Sequence, residues 1–286
     1  MEAFLGSIGW FLSVATATGN GFVVILIVKN RRLHSSANWF VLSLALADFV
    51  VALIVFPSGY ICNKLMACHT RIEMALFWFA IHASVTNLCA LTRDRYVAIV
   101  YPFKYNASMT NRRPEKVIMI AWLTPFIISL ALFVGMYVTA SETALKALRL
   151  TGVSAFDLTS CILHPASCML LLYAVVRVLT VARAQSHQST AIELQLQSVA
   201  IRRHRKHNTA RFIIALILFF LGCYIVANCL LMCLTFSCNL STKSSKKVAQ
   251  VLTLLFALNS AVNPLVYAFL KKDIRKEIRK LFCKEN

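Results

Sequence analysis

Seven stretches of the chain, at about residues 3–28, 38–61, 72–100, 116–139, 155–182, 210–236 and 248–270, are almost wholly apolar. A bilayer core of roughly 30 Å is crossed by about 20 helical residues rising 1.5 Å each, and every stretch is long enough. Backbone groups left unpaired in hydrocarbon are costly, and spanning strands would be about half as long, so the stretches read as helices. The expected fold is all-α: a seven-transmembrane helix bundle forming a single domain over residues 1–286. Bulk composition agrees, since 59% of residues are apolar against about half in soluble domains.

The first stretch has the small residues Ala15, Ala17 and Gly19 of a cleavable secretory signal. It starts with Glu2 rather than a basic cluster, however, and the apolar run resumes through Phe22 to Val28. It therefore reads as a first transmembrane helix.

A net charge of +19 in a soluble protein would suggest nucleic acid. Here the positions of the charges matter more. With the N-terminus outside, 23 of the 30 Lys and Arg fall on the cytoplasmic loops, helix ends and tail, among them Lys29, Arg31, Arg32, Arg95, Arg177 and Lys206. The positive-inside rule then sets the expected orientation in the plasma membrane, N-terminus extracellular and C-terminus cytoplasmic. Basic residues at a membrane rim face anionic lipid, so membrane lipid is the expected partner and nucleic acid is not.

Of ten cysteines, most lie inside helices, Cys89, Cys161, Cys168, Cys223 and Cys229 among them, where a thiol behaves as a small apolar side chain. Cys62, Cys68, Cys233 and Cys238 lie near the oxidising face and are the disulfide candidates. The chain shows no internal repeat, and its short outer N-terminus leaves the helix bundle as the expected entry for a ligand. The connection near 183–209 is hydrophilic yet patterned, with Ile192, Leu194, Leu196, Val199 and Ile201 suggesting helical extensions of segments five and six.

After the last span, Leu270, Ile274, Ile278, Leu281 and Phe282 recur at three- and four-residue steps while Lys and Arg fill the other face. That pattern predicts a short amphipathic helix over about 271–283, lying on the inner membrane surface. Cys283 follows it, either as an acylation site or as an unmodified thiol.

Ionisable groups inside membrane spans default to function. Asp48 sits in the middle of segment two, and Asn20, Ser84, Asn259, Ser260 and Asn263 supply oxygens for company. A carboxylate among hydroxyl and amide oxygens suits a small hard cation such as sodium, or a chain of ordered waters. A purely structural hydrogen-bond network is the alternative. On segment three, steps of seven and eleven residues place Phe77, Ser84 and Arg95 on one stripe, with Ser84 about 10 Å below Phe77 and Arg95 roughly 16 Å lower again. Pro165 and Pro264 remove helical bonds to the carbonyls of Cys161 and Ser260 and permit kinks. Tyr173 and Tyr267 follow them toward the cytoplasm.

These residues together carry a resemblance to the rhodopsin-like G-protein-coupled receptors, over about residues 10–283. Its motifs are Gly19-Asn20, Leu44 to Asp48, Asp94-Arg95-Tyr96 with Pro102 in the loop after it, Trp122, Pro165 with Tyr173, Phe220 with Cys223, and Asn263-Pro264-Leu265-Val266-Tyr267. Each alone is weak, but all occur in order and in the matching span. The resemblance implies a receptor, not an enzyme, that binds an extracellular ligand in the bundle and activates a heterotrimeric G protein as helix six swings outward. It implies that Asp94 holds Arg95 at rest and that Arg95 turns to Tyr173, Tyr267 and the G protein when active. It also implies that Asp48, Ser84, Asn259, Ser260 and Asn263 hold an allosteric sodium ion favouring the resting state, with no other cofactor required.

The departures from the family pattern are specific. Tyr224 and Val226 stand where helix six usually has tryptophan and proline. Lys206 stands where many relatives carry an acid at the base of helix six, which predicts raised basal activity. Thr70 replaces the usual cysteine opening helix three, and the second outer loop contains none, so no disulfide is expected between them. Cys233 and Cys238 could bridge within the third outer loop or stay as thiols. Amine receptors carry an Asp where this chain has Phe77, and opsins a Lys where it has Ala257. The candidate ligand residues are Phe77, Trp78, His82, Asp157 and Tyr224, with a small molecule, lipid or short peptide as ligand. The missing cysteines and short loop resemble the melanocortin, adenosine, cannabinoid and lysophospholipid receptors. Asn239-Leu240-Ser241 is a glycosylation sequon facing outside. The competing readings are a polytopic transporter or channel, for which repeats and broken helices would be expected, and a receptor-like protein that no longer couples.

Overall fold

The computed structural model of the chain describes residues 2–64, 70–101, 105, 112–138, 155–192, 218–236 and 242–282. The described elements are helices: α1 (Glu2–Lys29), α2 (Ser36–Lys64), α3 (Thr70–Val100), α4 (Arg112–Val138), α5 (Ala155–Ile192), α6 (Leu218–Thr235), α7 (Thr242–Leu270) and α8 (Lys272–Phe282). Seven of them, α1 to α7, are long and apolar enough to cross a membrane. A single 3-10 turn, Arg31–Leu33, joins α1 to α2. Its Leu33 is buried, and Asn38 on the first turn of α2 donates to the Leu33 carbonyl at 2.8 Å, fixing the connection.

Ile27, Leu44, Ile81, Leu171, Phe220 and Phe256 bring six of the helices into one core. Other apolar side chains point away from it: Phe11, Ile120, Ile127, Met169 and Leu265 are all more than half exposed. In lipid that outward surface is already in an apolar solvent, so the inward face gains little from the hydrophobic effect. Close packing and interhelical hydrogen bonds must hold the bundle instead. Packing is tight where α1 meets α7, because a Cβ built on Gly19 would stand 3.0 Å from the Pro264 ring.

Helix α5 continues to Ile192, past the apolar run, as the pattern in the connection after segment five leads one to expect, because helix-forming residues follow the membrane stretch. One element differs from the sequence pattern. The apolar stripe of α8 is divided: Ile274 is fully buried in the bundle core and Ile278 packs against it, while Leu281 is 60% exposed. The first turns of α8 therefore dock on the bundle, and its last turn carries the face available to a membrane surface. Cys238, Asn239, Cys283, Lys206, Pro102 and the loop at 140–152 lie outside the described residues, as does the side chain of Asp157.

Candidate functional site

Three layers of side chains follow one another along α3. The middle layer is built on Asp48, which α2 places at full burial. Ser84 of α3 donates to one carboxylate oxygen at 2.6 Å and Asn263 of α7 to the other at 2.5 Å. Ser260, one turn before Pro264, is buried as well. Asn20 does not reach it: its amide donates to the Thr16 carbonyl at 3.0 Å and to the Ser260 carbonyl at 3.2 Å, tying α1 to α7. Several buried oxygens of this layer have no partner, namely Oδ1 of Asn20, Asn259 and Asn263. A buried carboxylate with unmet neutral oxygens around it is the donor set of a small hard cation. Among the described residues no group of three or more His, Cys, Asp or Glu could hold a transition metal.

Beside this layer, Trp122 of α4 donates through its indole N–H to the Ser43 hydroxyl at 2.9 Å. Ser43 in turn donates to Asn87 Oδ1 at 2.6 Å. Thr86 donates to the Ala121 carbonyl at 2.7 Å. These bonds join α2, α3 and α4, and Ser43, Asn87 and Thr86 were not singled out by the sequence. The available signal was Asn87, a buried amide three residues after Ser84.

The layer toward the start of α3 is aromatic. Phe77 and Trp78 have ring centroids 5.1 Å apart, and Phe256 of α7 stands 6.4 Å from Phe77 and 6.2 Å from Trp78. His82 stacks 5.7 Å below Trp78 and shares a 3.1 Å hydrogen bond with Ser160 of α5. His164, the residue before the α5 proline, is 5.2 Å from His82, 5.8 Å from Tyr224 of α6 and 5.6 Å from Phe256. Phe77, Trp78, His82 and Tyr224 thus lie in one layer, joined through Phe256 and His164. Phe256, His164 and Ser160 join them unannounced. Phe256 lies seven residues before Asn263, hence on nearly the same helix face. Both nitrogens of His164 and Nδ1 of His82 lack partners. Tyr224 fills the place of the expected tryptophan while packing 6.0 Å from Phe256, and Phe220 one turn away is buried.

The third layer closes α3. Asp94 is fully buried in its side chain, and Arg95 approaches it at 3.0 Å, the Arg95 side chain as a whole keeping 27% exposure. That approach is an ion pair whose N–H points off the carboxylate, since neither atom forms an aligned hydrogen bond. Tyr105 donates its O–H to the other Asp94 oxygen at 3.1 Å. Burial, and then the Asp94 charge, push the Tyr105 phenol up, so its proton stays in place for that bond. Tyr267 is buried with its hydroxyl unpartnered, and Tyr173 is 59% exposed with its ring 6.3 Å from Tyr96.

A neighbouring ion cluster joins the α7–α8 corner to α2. Lys271 donates to the side-chain oxygen of Asn38 and to the Ala37 carbonyl at 3.4 Å. The Asn38 amide donates to Asp273 at 2.8 Å. Burial, then repulsion from Arg95, pulls the Lys271 ammonium down from 10.5 to about 8 against the pull of Asp273 and Asp94. Burial works against the Asp273 carboxylate, but the Asn38 bond and the Lys271 charge outweigh it and hold the group below its usual range.

Comparison with known proteins matches residues 19–267 to the 7 transmembrane receptor (rhodopsin family). The chain is 31% identical to the alpha-2C adrenergic receptor of Didelphis virginiana over 64% of its own length and 40% of that receptor. It is 34% identical to the muscarinic acetylcholine receptor M1 of Homo sapiens over 50% of its length and 32% of that protein. With the octopamine receptor beta-2R of Drosophila melanogaster it shares 31% identity over 48% of its length and 28% of that receptor. The bundle has seven helices long and apolar enough to cross a membrane. The chain belongs to the rhodopsin family of seven-transmembrane receptors. It spans about two fifths or less of the length of these relatives.

Proposed function

We propose that this chain is a G-protein-coupled receptor of the plasma membrane, with an extracellular N-terminus and a cytoplasmic C-terminus. A ligand entering the aromatic layer biases the bundle between a closed and an open form, and a heterotrimeric G protein docks at the Arg95 end. The observation that carries this reading is that one helix, α3, bears all three layers: Phe77 and Trp78, then Ser84 on Asp48, then the Asp94–Arg95 pair. A shift of α3 against its neighbours is felt in each of them. Such a shift can be no larger than the differential affinity of the ligand for the two forms allows.

Asp48, Ser84, Asn259, Ser260 and Asn263 would hold a sodium ion, which would neutralise the buried carboxylate and favour the closed form. The relatives named for adrenergic, octopamine and acetylcholine signalling do not fix the ligand here. Phe77, which stands where amine receptors carry a carboxylate, packs on Trp78 and Phe256. The aromatic layer suits a flat or lipid-like ligand better than an amine anchored on α3.

The test is agonist-independent GDP release from a panel of G proteins by the purified chain in nanodiscs, with Arg95→Ala as control. Release that depends on Arg95 is the expected result. Equal release by both proteins on every G protein would contradict it.

A further inference from the structure

Asn38, buried on the first turn of α2, has both polar atoms of its amide engaged. The nitrogen donates to the Leu33 carbonyl at 2.8 Å and to the Asp273 carboxylate at 2.8 Å, and the oxygen accepts from the Lys271 ammonium. Lys271 also reaches the Ala37 carbonyl at 3.4 Å. An amide side chain has two N–H donors and one oxygen, so this single residue meets both sides of the α7–α8 corner and ties them to the turn after α1.

The corner itself is continuous in its backbone bonds. The Lys271 N–H donates to the Tyr267 carbonyl at 3.1 Å, and the Arg275 N–H to the Lys271 carbonyl at 2.8 Å. Asp273 stands in the first turn of α8, where the positive end of a helix favours an acid. The next residue, Ile274, is fully buried, whereas Leu281 is 60% exposed. A helix held on a membrane by its apolar face needs that face turned to the lipid. The first turn of α8 faces protein instead.

We propose that Asn38 is a positioning residue: it brackets Lys271 and Asp273, so that the place of α8 against the bundle is set by protein contacts rather than by the lipid beneath it. The exposed Lys272, Lys276 and Arg279 are then carried at a fixed angle whatever the charge of the membrane. The bracket goes beyond the coupling reading, and its test needs no G protein.

Hydrogen exchange of residues 272–282, followed by mass spectrometry of the full chain, is compared in nanodiscs of neutral phosphatidylcholine and of phosphatidylcholine mixed with anionic phosphatidylserine. Wild type should exchange at the same rate in both. Asn38→Leu removes all three bonds and should speed exchange of α8 roughly tenfold in both lipids, with the amides of α3 unchanged. Asn38→Asp sets two carboxylates against each other and should speed it as well; adding Asp273→Asn returns a donor to the pair and should restore most of the protection. Asp273→Ala, at an exposed position, should speed exchange roughly threefold even where the leucine variant does not fold. Wild-type protection that appears only over anionic lipid, or α8 exchange unchanged in both Asp273→Ala and Asn38→Asp, would overturn the bracket. Faster exchange along every helix of Asn38→Asp, with no rescue by Asp273→Asn, would overturn it too, marking Asn38 as a general packing residue.

Discussion

Ser84 of α3 donates to Asp48 of α2 across 2.6 Å, with Asn263 of α7 on the opposite carboxylate oxygen at 2.5 Å. Three helices therefore meet on one buried acid. In water such bonds would add little, because folding would only exchange them for bonds to solvent. Inside a bundle with no water to replace them, an unmet donor carries its full desolvation cost.

Asp48→Leu should therefore destabilise the bundle more than Asp48→Asn. The leucine leaves Ser84 and Asn263 without an acceptor, at about 1–3 kcal/mol for each stranded donor, while asparagine keeps one carbonyl oxygen. Thermal melting of the purified variants checks this, with the order wild type, Asn, Leu expected. A leucine variant that melts with or above the asparagine variant would refute the account of the layer.

Gly19→Val should loosen the α1–α7 seam. The added Cβ meets Pro264 at 3.0 Å, and a proline ring cannot turn aside as a flexible side-chain end can. Overpacking of this kind costs typically about 1–3 kcal/mol. A lowered melting temperature is expected, while Gly6→Val, which has open space around it, should melt like wild type.

Lys271 predicts a pH dependence with a definite sign. The folded protein releases this proton near 8, whereas the ordinary lysine value is 10.5. Between those values the unfolded chain binds more protons, so stability rises with pH through that window, and below it the penalty of burying the ammonium is fully present. Wild type should therefore gain melting temperature between about pH 7.5 and about pH 9.5 relative to Lys271→Gln. Parallel curves for the two proteins would show that Lys271 is not the titrating group.

The seven apolar runs were legible because length and composition alone fix a membrane span. Asp48 was legible because a carboxylate amid Leu44, Ala45, Leu46 and Ala47 has no cheap structural excuse. The partners Ser84 and Asn263 followed from helical spacing and from the family resemblance. What the chain did not announce are contacts set by the rotation of one helix against another. Ser43 reads as an ordinary small residue until Trp122 and Asn87 are brought to it. His164 looks like the prelude to Pro165 until four aromatic rings surround it. Lys271 reads as one more rim charge, yet the α7–α8 corner folds it inward onto Asn38.

The central claim is that the Asp48 layer and the Arg95 end belong to one two-state bundle, and basal GDP release in sodium against potassium buffer at equal ionic strength tests it most directly. Sodium should slow release by the wild type and leave Asp48→Asn unaffected. Release by the wild type that is identical in the two salts, while still depending on Arg95, would contradict the coupling of the two layers.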